Sequence, residues 1–244
     1  MSIDALATAA QFVRRMPTNW AAKNFFPNAE IDSLADERLF PLLEEKGIKG
    51  VIVDVDNTLA GYHGTKVDDT LASAFAQLCE RYSVVILSNS DEARFCELGT
   101  VFPDIPVLRA YEGRTAELRW HNFRAYRRLL GGVSTLDSTP YFGSSQEVRS
   151  IHQTDSRGLH PRLTYYRALR KPNPLLFNYA QRELGIDDPR KVVVIGDRYS
   201  TDISGGNQAG MYTIKVTPLR PETEPFTAKL GRRIETAVKY WHLA

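Results

Sequence analysis

Cysteine is nearly absent, with only Cys79 and Cys96 in a chain of 244 residues. Both fall in helix-like patterns and read as small buried apolar side chains, so no disulfide framework is expected. Long apolar runs are also missing. Nothing approaches the roughly 18 to 20 residues of a membrane-crossing helix, so no transmembrane segment is expected. An excess of one charge is lacking too: the formal net charge is +2, which gives no ground for a nucleic-acid partner. The N-terminus, MSIDALATAAQFVRRM, has no basic start followed by an apolar block, so a secretory signal is not expected. Ile3, Leu6, Ala10 and Val13 can share one helical face, followed by Arg14 and Arg15. Residues 1–24 are assigned to an N-terminal helical segment packed on the domain, with a membrane-surface helix as the alternative.

What is present suffices for a globular core, with 43% hydrophobic and 25% charged residues. Gly50–Val55, Ser83–Leu87, the short IPVLR, KVVVIGD and MYTIKV are apolar, β-branched runs and read as strands. Helical patterns lie between them. Asp68 or Asp69 can cap a helix whose stripe is Leu71, Phe75, Leu78 and Cys79. Ser90 can cap the next helix, to about Leu98. Asn173 and Pro174 open another, which Gly185 stops. Phe226 to His242 reads as a closing helix. The alternation predicts a parallel α/β sheet with helices on both faces.

In such sheets ligands gather beyond the carboxyl ends of the strands. There the sequence places Asp54, Asp56 and Thr58, then Ser88 and Asn89, then Asp197 with Asp202 close behind. Lys171 precedes the helix that leads to the Asp197 strand. Carboxylates crowded in this way resist ionising without a cation, and a hard divalent ion such as Mg2+ is the natural partner. A carboxylate can then attack phosphorus, and a second, two residues on, can protonate the leaving oxygen.

The motif order resembles the haloacid dehalogenase-type (HAD) phosphohydrolases. Asp54-Val55-Asp56-Asn57-Thr58 is similar to their first motif, Ser88 to the second, Lys171 to the third, and Asp197 with Asp202 to the acidic fourth. The resemblance implies a HAD-like Rossmannoid fold with little or no cap. It implies Asp54 as nucleophile and metal ligand, and Asp56 as general acid and base with its carbonyl on the metal. Asp197 would be the other main Mg2+ ligand, with Asp202 a ligand or the partner of one, while Ser88, Asn89 and Lys171 would hold phosphate. EKGIKGVIVDVDNTL, ALRKPNP and GDRYSTDISGGNQAGMYTIKVTPL are further similar to the subfamily IIIA, YqeG-type phosphatases. That group includes phosphatidylglycerophosphate phosphatases.

The resemblance implies a phosphomonoesterase acting on phosphatidylglycerophosphate, a phospholipid met at a membrane surface. A soluble phosphate ester such as a sugar phosphate or phosphoglycolate is the alternative, and a phosphorylatable signalling domain is a more distant one. The cytoplasm, peripheral to a membrane, is the expected compartment; the matrix side of the mitochondrial inner membrane is the alternative.

The resemblance covers about 25–110 and 168–240; the core domain is assigned to 25–110 and 168–244, with 111–167 an insertion. From Tyr111 to Arg167 there are nine arginines and no lysine. Glu117 to Leu130 can form a helix; the rest reads as loop. A disordered insertion, or a translated non-coding segment, is preferred here over a small lid or basic surface on which Arg114, Arg119, Arg124, Arg127 and Arg128 meet anionic lipid or phosphate.

Overall fold

The computed structural model describes residues 20–89, 92–115, 141–144 and 163–243. The expected helix in residues 1–24 therefore lies largely outside the described residues. So do the Ser90 cap, the helix proposed for 117–130, and Arg119, Arg124, Arg127 and Arg128. The described side chains exclude those of Cys96 and Arg114.

The chain divides into two compact units. The first joins everything up to Asn89 with everything from Lys171 onward. Its strands are β1 (Ala29–Ile31), β2 (Gly50–Val53), β3 (Ser83–Leu87), β7 (Val192–Gly196) and β8 (Tyr212–Val216). They pair in the order β1-β8-β7-β2-β3, every pair parallel. Every residue of β2 and β7 is buried, as their unbroken apolar sequences require. β1 escaped the sequence reading, because three residues give no periodicity.

The helices of this unit are α1 (Ala22–Phe25), α2 (Leu39–Glu45), α3 (Asp69–Arg81), α5 (Pro174–Glu183), α6 (Ser204–Gln208) and α7 (Phe226–Leu243). α3 starts where its sequence says it should: the Asp68 side chain accepts from the Thr70 N–H at 3.0 Å. It buries Leu71, Ala74, Phe75 and Leu78, while Cys79 is a half-buried free thiol. Asn173 caps α5 through the Leu175 N–H, Pro174 sits in its first turn, and Gly185 follows its end at φ +69°. Phe177 of α5 is fully buried against α6, where a Cβ on Gly205 would lie 2.0 Å from its ring.

The second unit spans residues 90–170 and contains α4 (Glu92–Val101), β4 (Val107–Thr115), β5 (Tyr141–Ser144) and β6 (Leu163–Leu169). β4 pairs antiparallel with both β5 and β6. The strand read as IPVLR thus continues to Thr115, and both flanks of the arginine-rich stretch are sheet. Pairing with a distant return strand extended it, which no local pattern at Tyr111–Thr115 announces. No helix among the described residues is long and apolar enough to cross a membrane.

Candidate active site

The first unit contains all seven residues singled out as candidates. Val53 ends β2 level with Ile86 of β3 and Ile195 of β7. Asp54 continues the ladder, its N–H donating to the Ile195 carbonyl at 3.0 Å. Gly196 ends β7 and Asp197 follows, so two carboxylates stand at the carboxyl ends of neighbouring strands. A π-helical turn, Tyr199–Ile203, brings Asp202 back to them. A Cβ on Gly196 would lie 2.4 Å from Asp202 Cγ, so glycine alone permits this approach. One oxygen each from Asp54, Asp197 and Asp202 lies within 4.8 Å of the others. All three residues are buried.

Lys171 enters this cluster from the turn before α5. Its buried ammonium donates to Asp54 Oδ1 at 2.6 Å and to Asp202 Oδ1 at 2.5 Å. Thr58 Oγ1 donates to the other Asp54 oxygen at 3.4 Å. Ser88 and Asn89 follow β3 and are half-buried. Asn89, expected to hold phosphate, also binds the Lys171 backbone. Its Oδ1 accepts from the Lys171 N–H at 2.6 Å and its Nδ2 donates to the Lys171 carbonyl at 3.1 Å. Both ends of the amide therefore hold the Lys171 backbone.

Asp56 is half-buried, and its Oδ1 accepts from the His63 N–H at 2.9 Å. Its carboxylate lies outside the three-carboxylate cluster; the metal role expected of it concerned its carbonyl. His63, at φ 54°, and Tyr62 belong to the short flap after the first motif, their rings 4.4 Å apart.

Three further residues complete the site, and the sequence reading missed them. Arg232 of α7 donates to the Asp197 carboxylate, and to the Asp197 carbonyl at 3.2 Å. Its Nε also donates to Glu224 Oε2 at 2.8 Å. Buried Glu224 accepts from Asn57 Nδ2 at 2.7 Å. Asn57, in turn, holds φ 65° within the first motif, a conformation that asparagine tolerates. A chain of charged and polar contacts thus runs from Asp197 through Arg232 and Glu224 to the turn bearing Asp56. Only Asn57 carried a local signal, its place between Asp56 and Thr58.

Burial, the largest influence on Asp54, pushes its carboxyl upward; Asp202 and Asp197 add to this, and Lys171 opposes it. Burial likewise raises Asp197, to about 6, against the pull of Arg232. Burial disfavours a charged Lys171, but Asp202 and Asp54 outweigh it and hold the ammonium protonated. Three carboxyl groups thus share two cations, Lys171 and Arg232, the latter also paired with Glu224, and a bound cation would favour their ionised forms. The donor set is oxygen only, which suits a hard divalent cation such as Mg2+.

Two family models match the sequence. One, described as HAD-hydrolase-like, matches residues 168–218, and one, described as mitochondrial PGP phosphatase, matches residues 14–95. The chain is 45% identical over 208 residues to the chloroplastic phosphatidylglycerophosphate phosphatase 1 of Chlamydomonas reinhardtii, covering 82% of this chain. It spans 54% of that relative's length. It is 25% identical over 197 residues to the probable phosphatase YqeG of Bacillus subtilis, covering 80% of this chain and 79% of the relative. A shorter match, 48% over 46 residues, links it to the glyceraldehyde 3-phosphate phosphatase of Methanopyrus kandleri, and covers 19% of each chain.

Proposed function

The chain belongs to the HAD-like phosphatases, and from that premise we propose that it is a Mg2+-dependent phosphomonoesterase acting through an aspartyl-phosphate on phosphatidylglycerophosphate. The observation that carries the chemistry is the buried trio Asp54, Asp197 and Asp202 with Lys171 bridging two of its members. The choice of substrate rests on the 45% identity to a named phosphatidylglycerophosphate phosphatase.

Asp54, Asp197 and Asp202, with the Asp56 carbonyl, would hold the ion. When bound, the ion offsets the carboxylate charge and lets an anionic nucleophile meet an anionic phosphoryl group. An Asp54 carboxylate oxygen bonds to phosphorus as the ester oxygen leaves. Asp56, at the flap, gives that oxygen its proton. In the second step Asp56 takes a proton from water, the water oxygen bonds to phosphorus, and the bond to Asp54 breaks. Lys171 balances charge on the phosphoryl oxygens, Ser88 donates a hydrogen bond to them, and Asn89 fixes where Lys171 stands.

The test is phosphate release from a panel of phosphatidylglycerophosphate and soluble esters, with Mg2+ and with a chelator. Asp54→Asn is expected to lose on the order of 10⁴-fold or more in kcat. Full turnover by that variant would refute the mechanism. Efficient turnover of soluble esters alone would transfer the assignment to a soluble phosphate ester.

A further inference from the structure

Helix α7 sits the opposite way round from a usual surface helix. Its charged side faces the protein. Glu235 is 3% exposed and accepts from the Arg198 Nε at 3.1 Å and the Ser200 N–H at 3.2 Å. Arg232 reaches Asp197 and Glu224 from the same side. Lys239 reaches Glu30 at 2.9 Å and the Tyr199 hydroxyl at 2.7 Å. The other side is apolar, and no described residue is packed over its large side chains. Phe226 is 74% exposed and Trp241 73%, and Leu230, Ile234 and Ala237 lie between them at helical spacing. Ile234, Ala237 and Trp241 line a shallow hollow together with Arg233.

Charge selects what this face fits. Glu235 is the only acid in α7, and it is buried on the inner side. Lys229, whose ammonium donates to the Glu222 carbonyl at 2.7 Å, and the exposed Arg233 border the apolar stripe, and Arg233 has no ion pair among the described residues. Trp241 and Tyr240, 73% and 69% exposed, are side chains that favour the headgroup level of a bilayer. An apolar stripe with aromatic and basic borders and no carboxylate matches an anionic lipid surface.

We infer that α7 docks the protein on an anionic lipid bilayer through Phe226, Leu230, Ile234 and Trp241, with Lys229 and Arg233 meeting the headgroups. The inference rests on the reading of the substrate as a phospholipid. The inner side of the same helix touches Asp197 through Arg232. A helix is about 10–12 Å across, so a bilayer held by α7 lies near the catalytic carboxylates. A lipid phosphate would then travel a short distance from its membrane to Asp54.

The experiment is flotation of the full chain with vesicles of phosphatidylcholine alone and of phosphatidylcholine with phosphatidylglycerol. Wild type is expected to float with the anionic vesicles and far less with the neutral ones. Combining Phe226→Ser, Ile234→Ser and Trp241→Ser is expected to weaken binding about a hundredfold. Arg233→Glu alone, a change at an exposed position that leaves the stripe intact, is expected to reduce binding to anionic vesicles specifically. Both variants should hydrolyse p-nitrophenyl phosphate at the wild-type rate, which confirms that they fold. Failure of wild type to float, or equal flotation of the variants, overturns the inference. So does a wild-type dimer that the triple substitution converts to monomer, since the face would then join two copies. Flotation needs no turnover. Asp54→Asn should float like wild type whatever the substrate, so loss of the phosphatase reading and loss of docking are separately visible.

Discussion

Arg232 holds Asp197 twice, through the carboxylate and through the backbone carbonyl at 3.2 Å, although 35 positions separate the two in sequence. One carboxylate oxygen of Asp197 is thereby fixed beside Asp54 and Asp202. Such orienting partners usually matter for metal affinity by about 10- to 100-fold. Arg232→Met is therefore expected to weaken Mg2+ binding by that order. Calorimetric titration of the metal-free protein reads it directly. Arg232→Lys should recover part of the loss, since an ammonium keeps the charge but lacks the planar fork that spans Asp197 and Glu224 together. Unchanged Mg2+ affinity in both variants would show that Asp197 needs no such partner.

Lys171 is the only cation placed against Asp54 and Asp202 among the described residues. Removing one partner of a buried ion pair leaves an uncompensated charge and costs about 3–5 kcal/mol. Lys171→Met should show that loss in urea unfolding when a chelator is present. With Mg2+ present the loss should shrink, because the ion supplies the missing positive charge. Equal destabilisation in both conditions would argue that the cluster binds no cation.

The raised Asp197 carboxyl predicts an unusual pH dependence for the metal-free protein. Asp197 titrates at about 6 in the fold against 3.8 unfolded. Below 3.8 it is protonated in both states, and its contribution is fully present. As pH rises, the unfolded chain ionises first, so the folded state loses about 3 kcal/mol by the time the pH passes about 6. Unfolding free energies across that window, in chelator, should fall for wild type. The fall should be smaller in Asp197→Asn, where the raised Asp54 carboxyl still contributes its share. A parallel pH profile in the two proteins would assign the titration elsewhere.

Gly196 allows Asp202 to reach the cluster, where an added Cβ would stand 2.4 Å from Asp202 Cγ. Gly196→Ala should push Asp202 outward, away from Lys171 and its cluster partners. Overpacking of this kind costs about 1–3 kcal/mol in stability. Activity should fall far more than stability, with the concentration of Mg2+ needed for half-maximal rate increased. An alanine variant with normal Mg2+ dependence would show that Asp202 is not part of the metal site.

The central strands and the residues that follow them are legible in the sequence, although β2 stops at Val53, two residues short of the end of its apolar run. β2, β3 and β7 are legible because a buried parallel strand is a short apolar run, and Asp54, Ser88 and Asp197 are simply the residues that follow each. The Asp68 and Asn173 caps are legible for the same reason: each contact spans only two residues. Tertiary structure decided everything that depends on distant partners. Asn57 and Glu224 lie 167 positions apart, and no spacing rule pairs them. Asn89 holds the Lys171 backbone across 82 positions. For α7, residue spacing gives two faces, one apolar and one charged, but not which of them meets the protein. The usual expectation buries the apolar face. Here Glu30, Asp197, Arg198 and Glu224 wait beneath the helix, and ion pairs with them turn its charged side inward and its apolar side out.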